Sequence, residues 1–406
     1  MSLKNIWYRS FQMGLNIGSR FLYWRKPIPV SGAGCSARIP ALLAECGVKR
    51  VMVVTGRYVG KSLAPAILEK LRESGIDYKH FSEVEANPST TTVLRIRDEY
   101  VENGCDGFLA IGGGSPIDAA KAAAALVARP GKTLAQMAGL FGVGRKLPPF
   151  IAVPTTAGTG SETTIAAVII EAETHHKYAL MDLHLVPLYA VLDPELTRAL
   201  PQKTTSTTGM DALTHAIEAY LCCTNRTKEV DRLAEEATVT VFKYLEKAYN
   251  DGDDMQARGE MLLAAYKAGF AFTRSGVGNV HAIAHTLGGL YSTPHGLANA
   301  VILPIVLEDY GEAVHGRLAR LAKLCGICPE GSERQQAEAF IAEIYAMNRR
   351  MGIPSGIDAI REEDIPQMVA WALKEANPVY PVPVIYDEQR CAEIIRKIKN
   401  SAVQEQ

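Results

Sequence analysis

The sequence predicts an α/β domain built on a mostly parallel sheet, followed by an all-helical domain. Three observations lead there. From about residue 27 to 199, short β-branched runs alternate with amphipathic helical runs, the pattern of a parallel sheet covered on both faces. After residue 200 the strand-like runs stop and long Ala/Leu/Glu-rich stretches take over. Two loops of small residues directly follow predicted strands, the position at which open α/β sheets bind ligands. A chain of 406 residues, 48% of them hydrophobic, is long enough for two domains and a well-buried core.

The elements follow in order. Residues 1–26 form a basic extension: Lys4, Arg9, Arg20, Arg25 and Lys26 are cationic, and no acid occurs before Glu45. Trp7, Phe11, Leu15 and Leu22 recur at roughly helical spacing, interrupted by Ser10, Gln12, Asn16 and Ser19, which argues against a secretory signal. The segment is expected to be a helix burying Trp7, Phe11 and Leu15 against protein or lipid. It reads as an extension packed on its own domain or an arm on a neighbouring subunit, in preference to a membrane-surface helix or a transit-like leader. Strands are expected at 50–55, 76–81, 107–113 and around 149–154, with helices at 66–75, 91–103 and 115–128 between them. The domain boundary falls near Pro201. Helices are then expected over 209–220, 227–248, 255–272, 315–324 and 333–351.

The first loop lies in IGGGSPIDAAK (111–121). Its glycines let backbone N–H groups approach a pyrophosphate, whose charge suits a helix N-terminus. Ser115 is expected to cap the helix, with Pro116 at its first position and Asp118 completing an approximate capping box. The run is not G-x-G-x-x-G, so the usual dinucleotide fingerprint is absent. The second loop is PTTAGTGSETT (154–164). Either loop alone reads equally as a tight structural turn; together they favour a nucleotide.

Asp211 and His215 stand four apart in the helical run GMDALTHAIEAY (209–220), so both side chains leave one face. His281, His285 and His295 follow in HAIAHTLGGLYSTPH. One carboxylate and three imidazoles suit a divalent ion such as Fe(II) or Zn(II). Spacing alone leaves ordinary core histidines equally open. His80, His175, His176, His184 and His315 are read as satisfied core or surface residues. Cys325-Gly-Ile-Cys328 is a lone pair, read as ordinary buried thiols, and the scattered use of eight cysteines suits a reducing, cytoplasmic compartment. A formal net charge of −1 gives no field for nucleic acid, and no apolar run spans a membrane.

Five segments together, GGGSPIDAAK, PTTAGTGSE, DPELTRALP (193–201), GMDALTHAIEAY and HAIAHTLGGLYSTPHGLANAVILP (281–304), resemble the signature segments of the iron-containing, or group III, alcohol dehydrogenases, in that family's order. The resemblance runs from about residue 27 to the C-terminus. It implies a Rossmann-like dinucleotide-binding α/β domain over 27–199 and an all-helical metal-binding domain over 200–406, the dehydroquinate synthase-like architecture, with the active site in the cleft between them. It implies that Asp211, His215, His281 and His295 bind the metal, Fe(II) by family and Zn(II) by donor set. The positions matching the family's cofactor contacts are Asn87, Gly113, Gly114, Ser115, Asp118, Thr155, Thr156, Thr159 and Lys177. The implied reaction is hydride transfer between a small alcohol or aldehyde and NAD(P), in a homodimer or larger homo-oligomer, with His285 relaying the alcohol proton.

The chain departs from the family at Val54-Thr55-Gly56, where an acid often follows the first strand. An acid there would bind the ribose hydroxyls and repel a 2′-phosphate. Gly56 removes that repulsion and Arg57 could pair with the phosphate, so NADP(H) is expected to be accepted at least as well as NAD(H). The extension is the second departure. The alternative activities are a glycerol- or lactaldehyde-type dehydrogenase of the same superfamily and a dehydroquinate-synthase-like lyase. A lyase would need a basic pocket, and Arg274 is the main cation near the predicted ligands. A scaffold without activity would leave the ligand set and both loops unexplained.

Overall fold

The computed structural model describes residues 3–173 and 177–401. The chain divides into two compact units, Tyr23–Ala199 and a second made of Met1–Leu22 with Leu200–Gln406. His175 and His176 lie outside the described residues.

The first unit carries a six-stranded sheet in the order Ile28–Ser31, Tyr189–Leu192, Phe150–Pro154, Gly107–Gly112, Arg50–Gly56, Asp77–Val84, with every neighbouring pair parallel. Alternate residues of the central strands serve opposite faces, as the period of two demands. Met52, Val54, Phe108, Ala110, Phe150 and Ala152 pack with Val93, Ile96 and the alanine run Ala119–Ala125. Val51, Val53, Leu109, Ile111, Ile151 and Val153 pack with Leu42, Leu43, Ile67 and Leu71. Both faces are therefore dry, which is why these strands read as continuous apolar runs. From Arg50–Gly56 the chain moves to one side of the sheet, and from Gly107–Gly112 to the other. The carboxyl ends of these two strands flank the switch point, and they carry Gly56 and the glycine turn.

The Gly107–Gly112 strand leads straight into helix Gly114–Ala128, with Gly113 at its N-cap and no side-chain cap. The expected Ser115 cap and capping box are not formed. Pro116 is the third helical residue, and Asp118 turns to the second loop. The reason is the glycine turn: Gly112 has φ 155°, and a Cβ there would lie 2.7 Å from Pro116 Cγ. The chain starts its helix two residues earlier than a serine cap would permit.

In the second unit, strands are absent among the described residues and helices pack on helices. Helix Gln202–Leu221 is buried on all sides from Gly209 to Leu221, the polar Asp211, His215 and Glu218 included. Helices Lys228–Asn250, Met255–Ser275 and His295–Tyr310 surround it. At Gly296 two backbones come close, and a Cβ there would stand 2.4 Å from the Thr207 carbonyl oxygen.

Helix Leu3–Ser19 forms as expected but presents the opposite face. Gln12 and Asn16 are its buried residues, whereas Trp7 and Phe11 are exposed and Leu15 is half-buried. Its polar side finds the better partners: the Gln12 amide donates to the carbonyls of Pro378 (3.0 Å) and Tyr380 (2.8 Å). The extension thus packs on its own unit through hydrogen bonds rather than through its aromatics.

Gly296→Ala should lower the unfolding free energy by about 1–3 kcal/mol, the usual range for overpacking a tight contact. A shift in urea midpoint at unchanged slope measures it. An unchanged midpoint would mean that the two backbones separate at no cost.

Candidate active site

The four predicted metal ligands converge. Asp211 and His215 leave one face of the central helix, His281 comes from helix Asn279–Tyr291, and His295 opens helix His295–Tyr310. One donor atom from each lies within 4.8 Å of every other. Asp211, His215 and His281 are buried, and the His295 side chain is about one-third exposed, leaving one open side. The imidazoles lie close: His215 stacks on His281 with centroids 4.6 Å apart, and His281 and His295 meet at a tilt with centroids 5.3 Å apart. Burying a carboxylate beside three acceptor nitrogens is costly unless a cation sits among them. The donor set, its convergence and its open side all fit a divalent ion.

Two groups not singled out in the sequence hold these residues. Glu218 accepts from His281 Nδ1 (2.5 Å) and from the Val280 N–H (2.8 Å). Burial pushes Glu218 up to about 8 and His281 down, so one proton is held between them and His281 Nε2 is left as an acceptor toward the cluster. Asn299, fully buried, sets its amide nitrogen 2.7 Å from Asp211 Oδ1 and 3.1 Å from Nε2 of both His281 and His295. Glu218 lies on the Asp211 face of the same helix, at i+7, a signal the sequence did contain. Asn299 stands four residues after His295, equally legible by spacing.

His285 lies beside the cluster, its ring 5.2 Å from that of His295 and 6.0 Å from that of His281. Its Nδ1 donates to Glu375 Oε1 (2.6 Å), and the Tyr380 hydroxyl donates to the same oxygen (2.7 Å). Burial raises the Glu375 carboxyl, but the neighbouring His285 and these two hydrogen bonds outweigh it and hold the group below its ordinary range. The donors come from distant stretches of chain, so sequence spacing could not reveal the trio. Arg274 donates to the Ser19 carbonyl (3.1 Å) and is partly buried, so this cation is committed to the N-terminal helix.

In the sheet unit most of the expected cofactor residues gather at the strand ends. The Asn87 N–H donates to Ser115 Oγ (3.2 Å), and Lys177 Nζ donates to Asn87 Oδ1 (3.3 Å). Asn87 has φ 56°, a left-handed conformation that asparagine tolerates. A Cβ on Gly113 would lie 3.3 Å from Thr156 Oγ1, and one on Gly114 3.2 Å from Thr159 Cγ2, so both glycines permit close packing of the two loops. The Thr155 N–H donates to the Gly112 carbonyl (2.9 Å), tying the loops at their base. Asp118 accepts from Ser161 Oγ (2.5 Å) and the Val168 N–H (3.1 Å), so it braces the second loop.

Lys121, in the first signature segment, went unassigned from sequence. It is fully buried, and its Nζ donates to the carbonyls of Ser161 (2.6 Å), Thr164 (2.8 Å) and Ala166 (3.0 Å), and to Thr164 Oγ1 (2.9 Å). Burial pushes it down to about 8, still protonated near neutrality, with its three N–H donors shared among these four acceptors. Gly56 ends its strand with an ordinary extended backbone, and a Cβ there would lie 3.2 Å from the Val84 carbonyl oxygen. Arg57 begins the next helix and is exposed.

Among the other histidines, His80 bonds Thr55 Oγ1 (2.9 Å) and His184 bonds Asp182 Oδ1 (2.7 Å), while His315 is a half-buried helix start. Cys325 and Cys328 are free thiols, half-buried rather than buried, in the turn that ends helix His315–Leu324.

Residues 28–194 match the family model "Iron-containing alcohol dehydrogenase", and residues 205–398 match "Fe-containing alcohol dehydrogenase family, C-terminal". The chain belongs to the iron-containing alcohol dehydrogenase family. Within it, the chain is 37% identical over 343 residues to an NAD-dependent methanol dehydrogenase of Bacillus methanolicus, covering 84% of this chain and 90% of that protein. Its fold matches the crystal structure of a 1,3-propanediol oxidoreductase with a TM-score of 0.89 at 35% identity, over 93% of this chain and 100% of the other. A sulfoacetaldehyde reductase from Bifidobacterium kashiwanohense, in complex with NAD+, matches with a TM-score of 0.83 at 28% identity, over 93% and 99%. Both family segments begin after the N-terminal helix, which the family match leaves uncovered.

Replacing Glu218 by Gln should weaken divalent-metal retention about 10–100-fold, the usual cost of losing a ligand-orienting carboxylate. Competition with a chromophoric chelator measures it. Unaltered affinity would make Glu218 a purely structural buried acid.

Proposed function

We propose that this protein is a metal-dependent alcohol dehydrogenase and aldehyde reductase, passing hydride between a small alcohol and a nicotinamide cofactor. The convergence of Asp211, His215, His281 and His295 beside His285 carries the reading. These four residues would hold the ion, Fe(II) in keeping with the family and Zn(II) compatible with the donors. When bound, such an ion polarises an alcohol oxygen and lowers the cost of alkoxide formation. The rest of the chemistry falls to this chain's own side chains. His285, held by Glu375 through Nδ1, keeps Nε2 as the remaining ring nitrogen to accept the alcohol proton. Tyr380 keeps Glu375 fixed and so keeps the ring oriented. The glycine turn at 112–114, Ser115, Asn87, Lys177 and the threonine loop would hold the dinucleotide, with Asp118 and Lys121 bracing that loop from behind. Hydride transfer further requires the carbinol carbon and the nicotinamide in near contact.

The cofactor choice turns on Gly56. With no carboxylate to repel a 2′-phosphate, and Arg57 beside it, NADP(H) is accepted at least as well as NAD(H). A charge-assisted contact from Arg57 would be worth on the order of 1.5–3 kcal/mol, about tenfold or more in affinity. Arg57→Ala should weaken NADP(H) selectively. Gly56→Asp should shift catalytic efficiency toward NAD(H), although its side chain must first displace the tight contact with the Val84 carbonyl. A native preference for NAD(H) of about tenfold or more, unmoved by either change, would refute the reading of this position.

The decisive experiment is elemental analysis of anaerobically purified protein, followed by nicotinamide absorbance with a panel of small alcohols. His215→Ala should abolish turnover and weaken metal retention while leaving nucleotide binding intact. Full activity after demetallation would overturn the proposal. His285→Gln should keep the metal yet slow alcohol oxidation by about tenfold or more. The loss should be steepest at low pH, where the proton is hardest to lose. An unchanged pH–rate profile would make His285 structural.

A further inference from the structure

Helix Leu3–Ser19 is built inside out. Its polar side is fastened to the helical unit: Gln12 bonds two carbonyls, Arg9 donates to Gln12 Oε1 (2.9 Å) and the Pro383 carbonyl (3.2 Å), and Arg274 donates to the Ser19 carbonyl (3.1 Å). Its outward side carries Leu3, Ile6, Trp7, Phe11, Met13 and Ile17, with Phe21 just beyond, all exposed. Trp7 is 56% exposed and Leu3 86%, so these are whole side chains in water rather than edges. At a turn of 100° per residue the six share one side of the helix, the reverse of a globular surface helix. Ser10, Gly14 and Gly18 lie between them, with open space above both glycines. A contiguous outward apolar face on a well-anchored helix marks an interaction surface.

Charge selects the partner. Lys4 and Arg20 are exposed, one near each end of the face, and no Asp or Glu occurs before Glu45. Pairing this face with a second copy would set cations against cations without a carboxylate from the segment to offset them. An anionic lipid surface offers phosphates to the cations and acyl chains to Trp7, Phe11 and Ile17. Basic residues with aromatic and aliphatic side chains on a helix too short and too mixed to span are the requirements for lying in the interface plane. We propose that helix Leu3–Ser19 is an in-plane anchor that seats the helical unit on an anionic membrane surface. This inference is independent of the reaction proposed above.

Flotation of the full-length, metal-loaded protein with phosphatidylcholine vesicles, with and without phosphatidylglycerol, tests it. Binding should be about tenfold or more stronger to the anionic vesicles and should weaken with salt. Trp7→Ser with Phe11→Ser, and separately Lys4→Glu with Arg20→Glu, should each lower partitioning by about tenfold or more, leaving turnover of a soluble alcohol unchanged. All four side chains are exposed, so both variants should fold. Wild-type protein that stays in the aqueous phase, or vesicle binding that neither variant alters, would overturn the proposal. Concentration-dependent self-association lost in the Trp7→Ser/Phe11→Ser variant, without vesicle binding, would assign the face to a second copy instead.

Discussion

The helical unit is organised by the cost of burying Asp211. A carboxylate 2% exposed, facing acceptor nitrogens, is tolerable only where donors or a cation are fixed around it. Asn299 provides the neutral share of that compensation, and a cation among the four converging donors would supply the remainder. Everything nearby serves the same constraint. Gly296 lets helix His295–Tyr310 approach the backbone of the Asp211 helix, bringing His295 and Asn299 in together. Glu218 fixes the tautomer of His281 from the far side. A side chain on Gly296 would act on the site through distance alone, without touching a ligand.

The parallel sheet, the helical second half and the pairing of Asp211 with His215 were legible because each rests on local periodicity, whereas His281 and His295 were joined to that pair by the family resemblance. A period of two with both faces apolar marks a covered strand, and a spacing of four places two donors on one helix face. Ser115 misled because a capping signature competes with a glycine turn, and Gly112 settles that competition through a backbone conformation the residue names do not display. Glu375 and Tyr380 were beyond reach. They meet His285 across about ninety positions of sequence, and such a pairing is decided by helix packing.

The N-terminal helix shows a different limit. Periodicity identifies an apolar side and a polar side but does not say which one faces the protein. That is set by what the underlying surface offers. Here the surface offers the carbonyls of Pro378, Tyr380 and Pro383, to which Gln12 and Arg9 donate and to which an apolar face could not. The buried amide decides the orientation, and the aromatics are left outward as a consequence.

The same contact ties the arm to the site. Gln12 holds the carbonyl of Tyr380, and the hydroxyl of Tyr380 holds Glu375, which orients His285. The chain from helix to imidazole is continuous and lies within one compact unit. The two sides of the helix therefore carry separable consequences. Changes on the outward side alter what the helix touches and leave Gln12 in place. Removal of the whole helix would take the Gln12 amide from Pro378 and Tyr380, loosen the segment that fixes Glu375, and so bear on both the proposed attachment and the proposed relay at His285. The point of leverage is Gln12, buried and far from the ligands in sequence, because it bears on both the seating of the helix and the orientation of His285.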